Sequence, residues 1–249
     1  MANKTDKNSY TILFAIVMVV IVGSLLAGFA SGLKPRIKAN EKFEKQQNIL
    51  YAMGINNNEG TGDVAFISTD NVAEVFNKYI TKQLVIQGDQ ATENDLAYLI
   101  DIKKESTKAK SGDYQRRLPL FIGQKDGSEL YIMPVRGKGL WDAIWGFVAV
   151  DKEMIVQGVY FDHKGETPGL GAEIKQRYFM DDFVGEQLLD KGAFQGIKVA
   201  KGNNDPKNLI KDDYEVDALA GATITGDGVS VMLKKDLAMY VPYLKTLNN

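Results

Sequence analysis

The sequence predicts an α+β fold, with a single N-terminal transmembrane helix followed by a soluble domain of antiparallel strands and flanking helices. Three observations predict it. An almost unbroken apolar run extends from Ile12 to Ala30. In the middle of the chain, strand-like runs are separated by only a few residues, and one connection is Lys125-Asp126-Gly127, whose Asp-Gly pair is a hairpin signal. Helical patterns gather toward the C-terminal half, whereas a parallel βαβ sheet would alternate them with strands.

No charged residue lies between Lys7 and Lys34. At a rise of about 1.5 Å per residue, about 20 apolar residues cross a hydrocarbon core of about 30 Å. An uncleaved anchor fits this run better than a secretory signal peptide, whose apolar core spans about 7–15 residues, although Gly28-Phe29-Ala30-Ser31 resembles a cleavage site. Orientation stays open. Lys34, Arg36, Lys38, Lys42 and Lys45 follow the span and only Lys4 and Lys7 precede it, which would keep the domain in the cytoplasm, but long domains are translocated largely regardless of charge.

The expected organisation is a tail and anchor over residues 1–33, a connecting helix and loop over 34–70, and the soluble domain over 71–249. Residues 34–54 are charged, helix-forming and sparsely apolar, so they read as a solvated helix. A loop from Asn56 to Asp63, a helix from Asn71 to Ile80 and a short strand from Gln83 to Gln87 are expected next. Lys103 to Arg117 reads as a polar loop. Strands are expected over Leu118–Ile122, Leu130–Val135, Trp145–Val150 and Met154–Phe161, then a helix over Ala172–Leu189 with a break near Asp181-Asp182. Lys198–Ala200 reads as a strand before the loop Gly202–Lys207.

Composition narrows the chemistry. The chain has no cysteine, which excludes disulfides, thiolate metal sites and cysteine nucleophiles, so redox chemistry requires an organic cofactor. Its one histidine, His163, reads as a loop residue, and no metal site is expected. A formal net charge of −2 makes nucleic acid a poor partner. No Gly-x-Gly-x-x-Gly fingerprint is present, so nicotinamide oxidation would belong to another chain.

Two segments carry the candidate site. Asp217-Ala218-Leu219-Ala220-Gly221-Ala222-Thr223-Ile224-Thr225 runs into a helix whose apolar face is Val229, Met232, Leu233, Leu237 and Tyr240. Thr225 is expected to cap that helix. The unpaired amides and positive dipole end favour an anion in the preceding turn, and the small residues Gly221 and Ala222 let a bulky phosphorylated group approach. An ordinary cap with a local Thr223 hydrogen bond would leave the same signature.

The second segment, His163-Lys164-Gly165-Glu166-Thr167-Pro168-Gly169-Leu170-Gly171, lies between a strand and a helix and can present backbone amides to a flat ligand. A tight Pro-Gly turn is the plainer reading. Trp141 and Trp145 could stack on such a ligand, although aromatics four residues apart commonly belong to a core.

The anchor, the Asn-Glu-Lys-rich helix, Gly137-Lys138-Gly139-Leu140-Trp141, Glu166-Thr167-Pro168-Gly169-Leu170-Gly171 and Gly221-Ala222-Thr223, in that order, resemble the FMN-binding domain family that contains the C subunit of bacterial Na+-translocating NADH:quinone reductases and the G subunit of the Rnf complex. The resemblance implies an electron relay through a flavin with no catalytic side chain, an FMN-binding region over about residues 130–245, and quinone reduction coupled to sodium export. It also implies FMN joined by a phosphoester to Thr223 through a flavin transferase. Ala220 stands where the family motif usually has Ser or Thr, and Thr225 is the other nearby hydroxyl. By the same resemblance Thr167, Leu170 and Gly171 contact the isoalloxazine ring, with Glu166 orienting the loop and Trp141 as a further contact. The implied setting is the bacterial inner membrane, in a complex with the other reductase subunits, with the domain on the periplasmic side. An Rnf-type relative, or an anchored ligand-binding protein without redox turnover, is the alternative.

Overall fold

The computed structural model describes residues 8–60 and 62–247; Lys4 and Lys7, which flank the apolar run, lie outside them. Helix α1 (Asn8–Ala52) is a single helix of 45 residues, long and apolar enough to cross a membrane. Residues 8–42 are all exposed, and side chains such as Val19 and Phe29 suit lipid rather than water. The chain divides into two compact units between Phe43 and Glu44. The stretch expected to be a solvated helix is solvated only in its first part. Ile49, Leu50 and Ala52 are wholly buried, because the apolar residues concentrated at its end join the core of the second unit.

That unit is built on a six-stranded sheet of β1 (Ile80–Gln87), β2 (Gln90–Glu93), β3 (Leu118–Lys125), β4 (Ser128–Lys138), β5 (Ala143–Val150) and β6 (Val156–His163). Its order is β2-β1-β3-β4-β5-β6, and every adjacent pair is antiparallel, as expected. Asp126 and Gly127 both have positive φ (51° and 81°), the signature of a type I′ hairpin turn. Helix α2 (Val72–Tyr79) falls within its expected range. Strand β6 begins after Met154, whose φ of 63° places it in a turn rather than the strand. The exposed edge strand β2 went unrecognised; the Gly88-Asp89 pair was its signal.

Two further segments depart from expectation. Within Lys103–Arg117, read as loop, lies helix α3 (Ile102–Lys108), capped by Asp101, whose Oδ1 accepts from the Lys104 N–H at 3.1 Å. Its buried Glu105 accepts from Arg117 Nη2 at 2.8 Å and Tyr114 OH at 2.6 Å, so polar partners satisfied in the fold hold what looked like a solvated stretch. The helix expected over Ala172–Leu189 is a 3₁₀ turn (Gly171–Lys175), an extended Gln176, helix α4 (Arg177–Asp181) and a turn through Gly185 at φ 90°. Phe179 and Phe183 pack on Phe161 of β6, with ring centroids 6.2 and 5.2 Å away, and this docking bends the segment out of continuous helix.

The chain continues through the hairpin β7 (Leu189–Asp190) and β8 (Ala193–Phe194) and the parallel pair β9 (Lys198–Val199) and β10 (Glu215–Val216). Helix α5 (Thr223–Ala238) then buries Val229, Met232, Leu233 and Leu237, the face its spacing predicts, and α6 (Val241–Leu247) follows. Close approach seats α5 on β4. A Cβ at Gly137 would meet Met232 at 2.7 Å, and one at Gly228 would collide with the Lys138 carbonyl. Strand alternation puts Gly123 and Gly158 on the opposite face, against Met53 and Ala52 at the end of α1.

Candidate functional site

The fold brings the two motif segments together at the start of α5. Leu140, Glu166, Thr167, Leu170, Gly171, Gly221, Ala222, Thr223, Ile224 and Thr225 line one cavity of about 270 Å³. Eight of the nine residues singled out in the sequence are among them. The ninth, Trp141, stands beside the cavity, 66% exposed, its indole N–H donating to Thr167 Oγ1 at 3.2 Å. Trp145 lies on β5, with the Arg136 guanidinium 5.8 Å from its ring. Sequence reasoning passed over Leu140 and Ile224. Both are apolar and exposed beside motif residues, and exposure is not visible in a sequence.

Gly221 has a φ of 66°, which turns the chain into α5, and a Cβ there would press on Leu170 of the other loop at 2.8 Å. Ala222 then occupies the N-cap position and Thr223 is the first helical residue; no side chain caps the helix. The expectation that Thr225 caps it is therefore corrected. Thr225 lies a turn too late, and its hydroxyl is taken by a stronger partner, donating to Glu166 Oε2 at 2.7 Å in a site that leaves the residue 1% exposed. Thr223 is exposed, with its hydroxyl beside the uncapped first turn. Amides without intrahelical partners and the positive helix end make this turn suited to an anion.

Glu166 is buried at 5% exposure and ties the site together. Its Oε1 accepts from the backbone N–H of Trp141 at 2.9 Å and of Asp142 at 3.3 Å, and Oε2 from that of Leu140 at 3.3 Å as well as from Thr225. Burial pushes its carboxyl up, but these donors, the Thr225 hydroxyl foremost, outweigh burial and hold it below the ordinary carboxylate range. The loop itself is folded by hydrogen bonds from the Leu170 and Ala172 N–H groups to the Thr167 carbonyl, both at 3.1 Å. His163 ends β6, not in the loop proper as expected, and its Nδ1 accepts from the Glu166 N–H at 3.1 Å.

The cavity combines an exposed hydroxyl, an anion-favouring helix start and a wall of apolar side chains and glycine, a donor set that fits a phosphorylated aromatic ligand. Residues 139–238, which contain every lining residue, match the FMN-binding domain family. Over 245 residues the chain is 31% identical to the C subunit of the Na+-translocating NADH-quinone reductase of Vibrio anguillarum, covering 92% of this chain and 90% of that protein. Its counterpart from Neisseria meningitidis serogroup B is 29% identical over 261 residues, covering 100% of this chain and 98% of its own. The crystal structure of the C subunit from Parabacteroides distasonis superposes with a TM-score of 0.71 at 32% identity, over 85% of this chain and 96% of that one. Similarity in sequence along nearly the whole chain, joined to the same fold, establishes that this chain belongs to the C-subunit family of Na+-translocating NADH-quinone reductases.

Proposed function

We propose that this protein, an FMN-binding electron carrier of the Na+-translocating NADH-quinone reductase, holds its FMN through a phosphoester to Thr223. The observation that carries the assignment is the contrast between two hydroxyls on one helix. Thr223 is exposed at the cavity, and Thr225 is buried with its proton committed to Glu166. In the attachment step the Thr223 oxygen bonds the phosphorus of the FMN half of FAD. The pyrophosphate bond breaks, AMP leaves and the hydroxyl proton is released, with a flavin transferase as catalyst.

The bound flavin supplies electron transfer between the upstream NADH-reduced centres and quinone. The protein's own part is attachment, orientation and electrostatics. The α5 amides would hold the phosphate, the Glu166–Gly171 loop and Leu140 would shape the ring pocket, and the Glu166 carboxylate would contribute a fixed negative charge at the site. The α1 segment anchors the chain in the inner membrane, with the domain on the periplasmic side and the other reductase subunits as partners.

Peptide mass spectrometry after expression with and without a flavin transferase tests the reading. The adduct is expected on Thr223 and absent from a Thr223→Val chain. An adduct on Thr225, or full flavinylation of the valine variant, would overturn it.

A further inference from the structure

We propose that Thr225 is a positioning residue. Its hydrogen bond to Glu166 locks the helix that carries the flavin attachment point to the loop that faces the ring, and so fixes ring orientation and redox poise. This rests on the reading of Thr223 as the attachment residue.

Helical rotation of about 100° per residue puts residues two apart on nearly opposite sides of α5. Thr223 accordingly faces outward and Thr225 inward. The inward hydroxyl meets a carboxylate already held by backbone N–H groups of the segment after β4, so one side chain joins three stretches of chain. Glu166 and Thr225 are 59 residues apart in sequence, and nothing local sets their distance.

The packing leaves the pair no slack. A Cβ at Gly139 would lie 2.6 Å from Glu166 Oε1, and one at Gly171 would lie 2.6 Å from Oε2 and 2.5 Å from Thr225 Oγ1. Two glycines thus wall in a buried, charge-assisted hydrogen bond between the attachment helix and the ring loop. Valine at 225 matches threonine in shape but leaves Oε2 with only the long contact from Leu140. Serine retains the hydroxyl and loses only a methyl.

The test uses the full chain, expressed with a flavin transferase and purified in detergent, as wild type, Thr225→Val, Thr225→Ser and Glu166→Gln. Peptide mass spectrometry places the adduct, visible circular dichroism reports how firmly the ring is held, and a redox titration gives the midpoint potential. All four are expected to carry FMN on Thr223. The valine and glutamine variants should lose at least half of the flavin dichroism and move the reduction equilibrium about tenfold, a shift of about 30 mV for a two-electron couple. The serine variant should keep the wild-type signals.

A Thr225→Val protein with wild-type dichroism and potential would overturn the proposal, as would a serine variant as impaired as the valine one. If the valine chain does not accumulate, a Glu166→Gln chain with wild-type signals would do the same. A wild-type adduct on a residue other than Thr223 removes the attachment reading and this proposal with it; an adduct on Thr223 with unchanged variant spectra removes this proposal alone.

Discussion

The Asp236 carboxylate of α5 accepts a hydrogen bond from the backbone N–H of Arg136 at 2.8 Å, beside Gly137, where a Cβ would meet Met232 of the helix. Its other oxygen receives Arg116 Nη1 at 3.2 Å, and Asp236 is 2% exposed. Asp236→Ala leaves a guanidinium and an amide without their acceptor, and removing one partner of a buried pair costs about 3–5 kcal/mol. Denaturant unfolding of the full chain in detergent should show a loss of that order, with Asp236→Asn less affected.

Glu186 is expected to make the domain's stability depend on pH. Burial pushes its carboxyl up to about 7, against the opposing pull of Lys211, whose Nζ lies 3.5 Å away. A carboxyl whose folded value lies above its unfolded one binds more protons in the native state. Its stabilisation is full below about pH 4.5 and is lost as pH rises through about 7. Denaturant midpoints measured from pH 5 to 8 should therefore fall with rising pH, by an amount worth about 1–3 kcal/mol, and Glu186→Gln should flatten the profile.

Gly171→Val places a Cβ 2.6 Å from Glu166 Oε2 and 2.5 Å from Thr225 Oγ1. Flavin absorbance and midpoint potential should change while mass spectrometry still finds the adduct on Thr223. Unchanged spectra would mark the loop as a structural turn only.

Thr223→Ala removes the hydroxyl proposed to carry the flavin, at little cost in volume. In the assembled complex, with all subunits confirmed present, quinone reduction should fall to background while NADH oxidation by artificial acceptors that draw electrons upstream continues. Normal quinone reduction without this flavin would show that the chain is not an obligatory relay.

If the domain lies on the periplasmic side, as proposed, a reporter fused after Asn249 should behave as exported despite the local excess of Lys and Arg after the span. Cytoplasmic reporter activity with no periplasmic signal would reverse the topology.

The antiparallel sheet was legible because its signals are local. Asp126-Gly127 supplies the two positive φ angles its hairpin needs, and the strands around it carry their own apolar patterns. The site residues were legible as two separate motifs for the same reason, since the turns at Gly169 and Gly221 need residues that tolerate positive φ. Their meeting followed only from the family resemblance and from neither motif alone. The Glu166–Thr225 bond, and the aromatic docking that bends 176–189, join residues far apart in the chain and are written in no local pattern. Thr225 was misread because a hydroxyl at a helix start suits either a cap or a distant acceptor, and only the fold decides between them.

The uncapped start of α5 ties the proposed attachment to folding as well as to redox function. A side-chain cap is worth about 1 kcal/mol, and this helix forgoes it at the turn where a phosphate on Thr223 would take its place. A phosphate fixed at that turn would supply the missing cap, so attachment of the cofactor would steady the helix as well as load it.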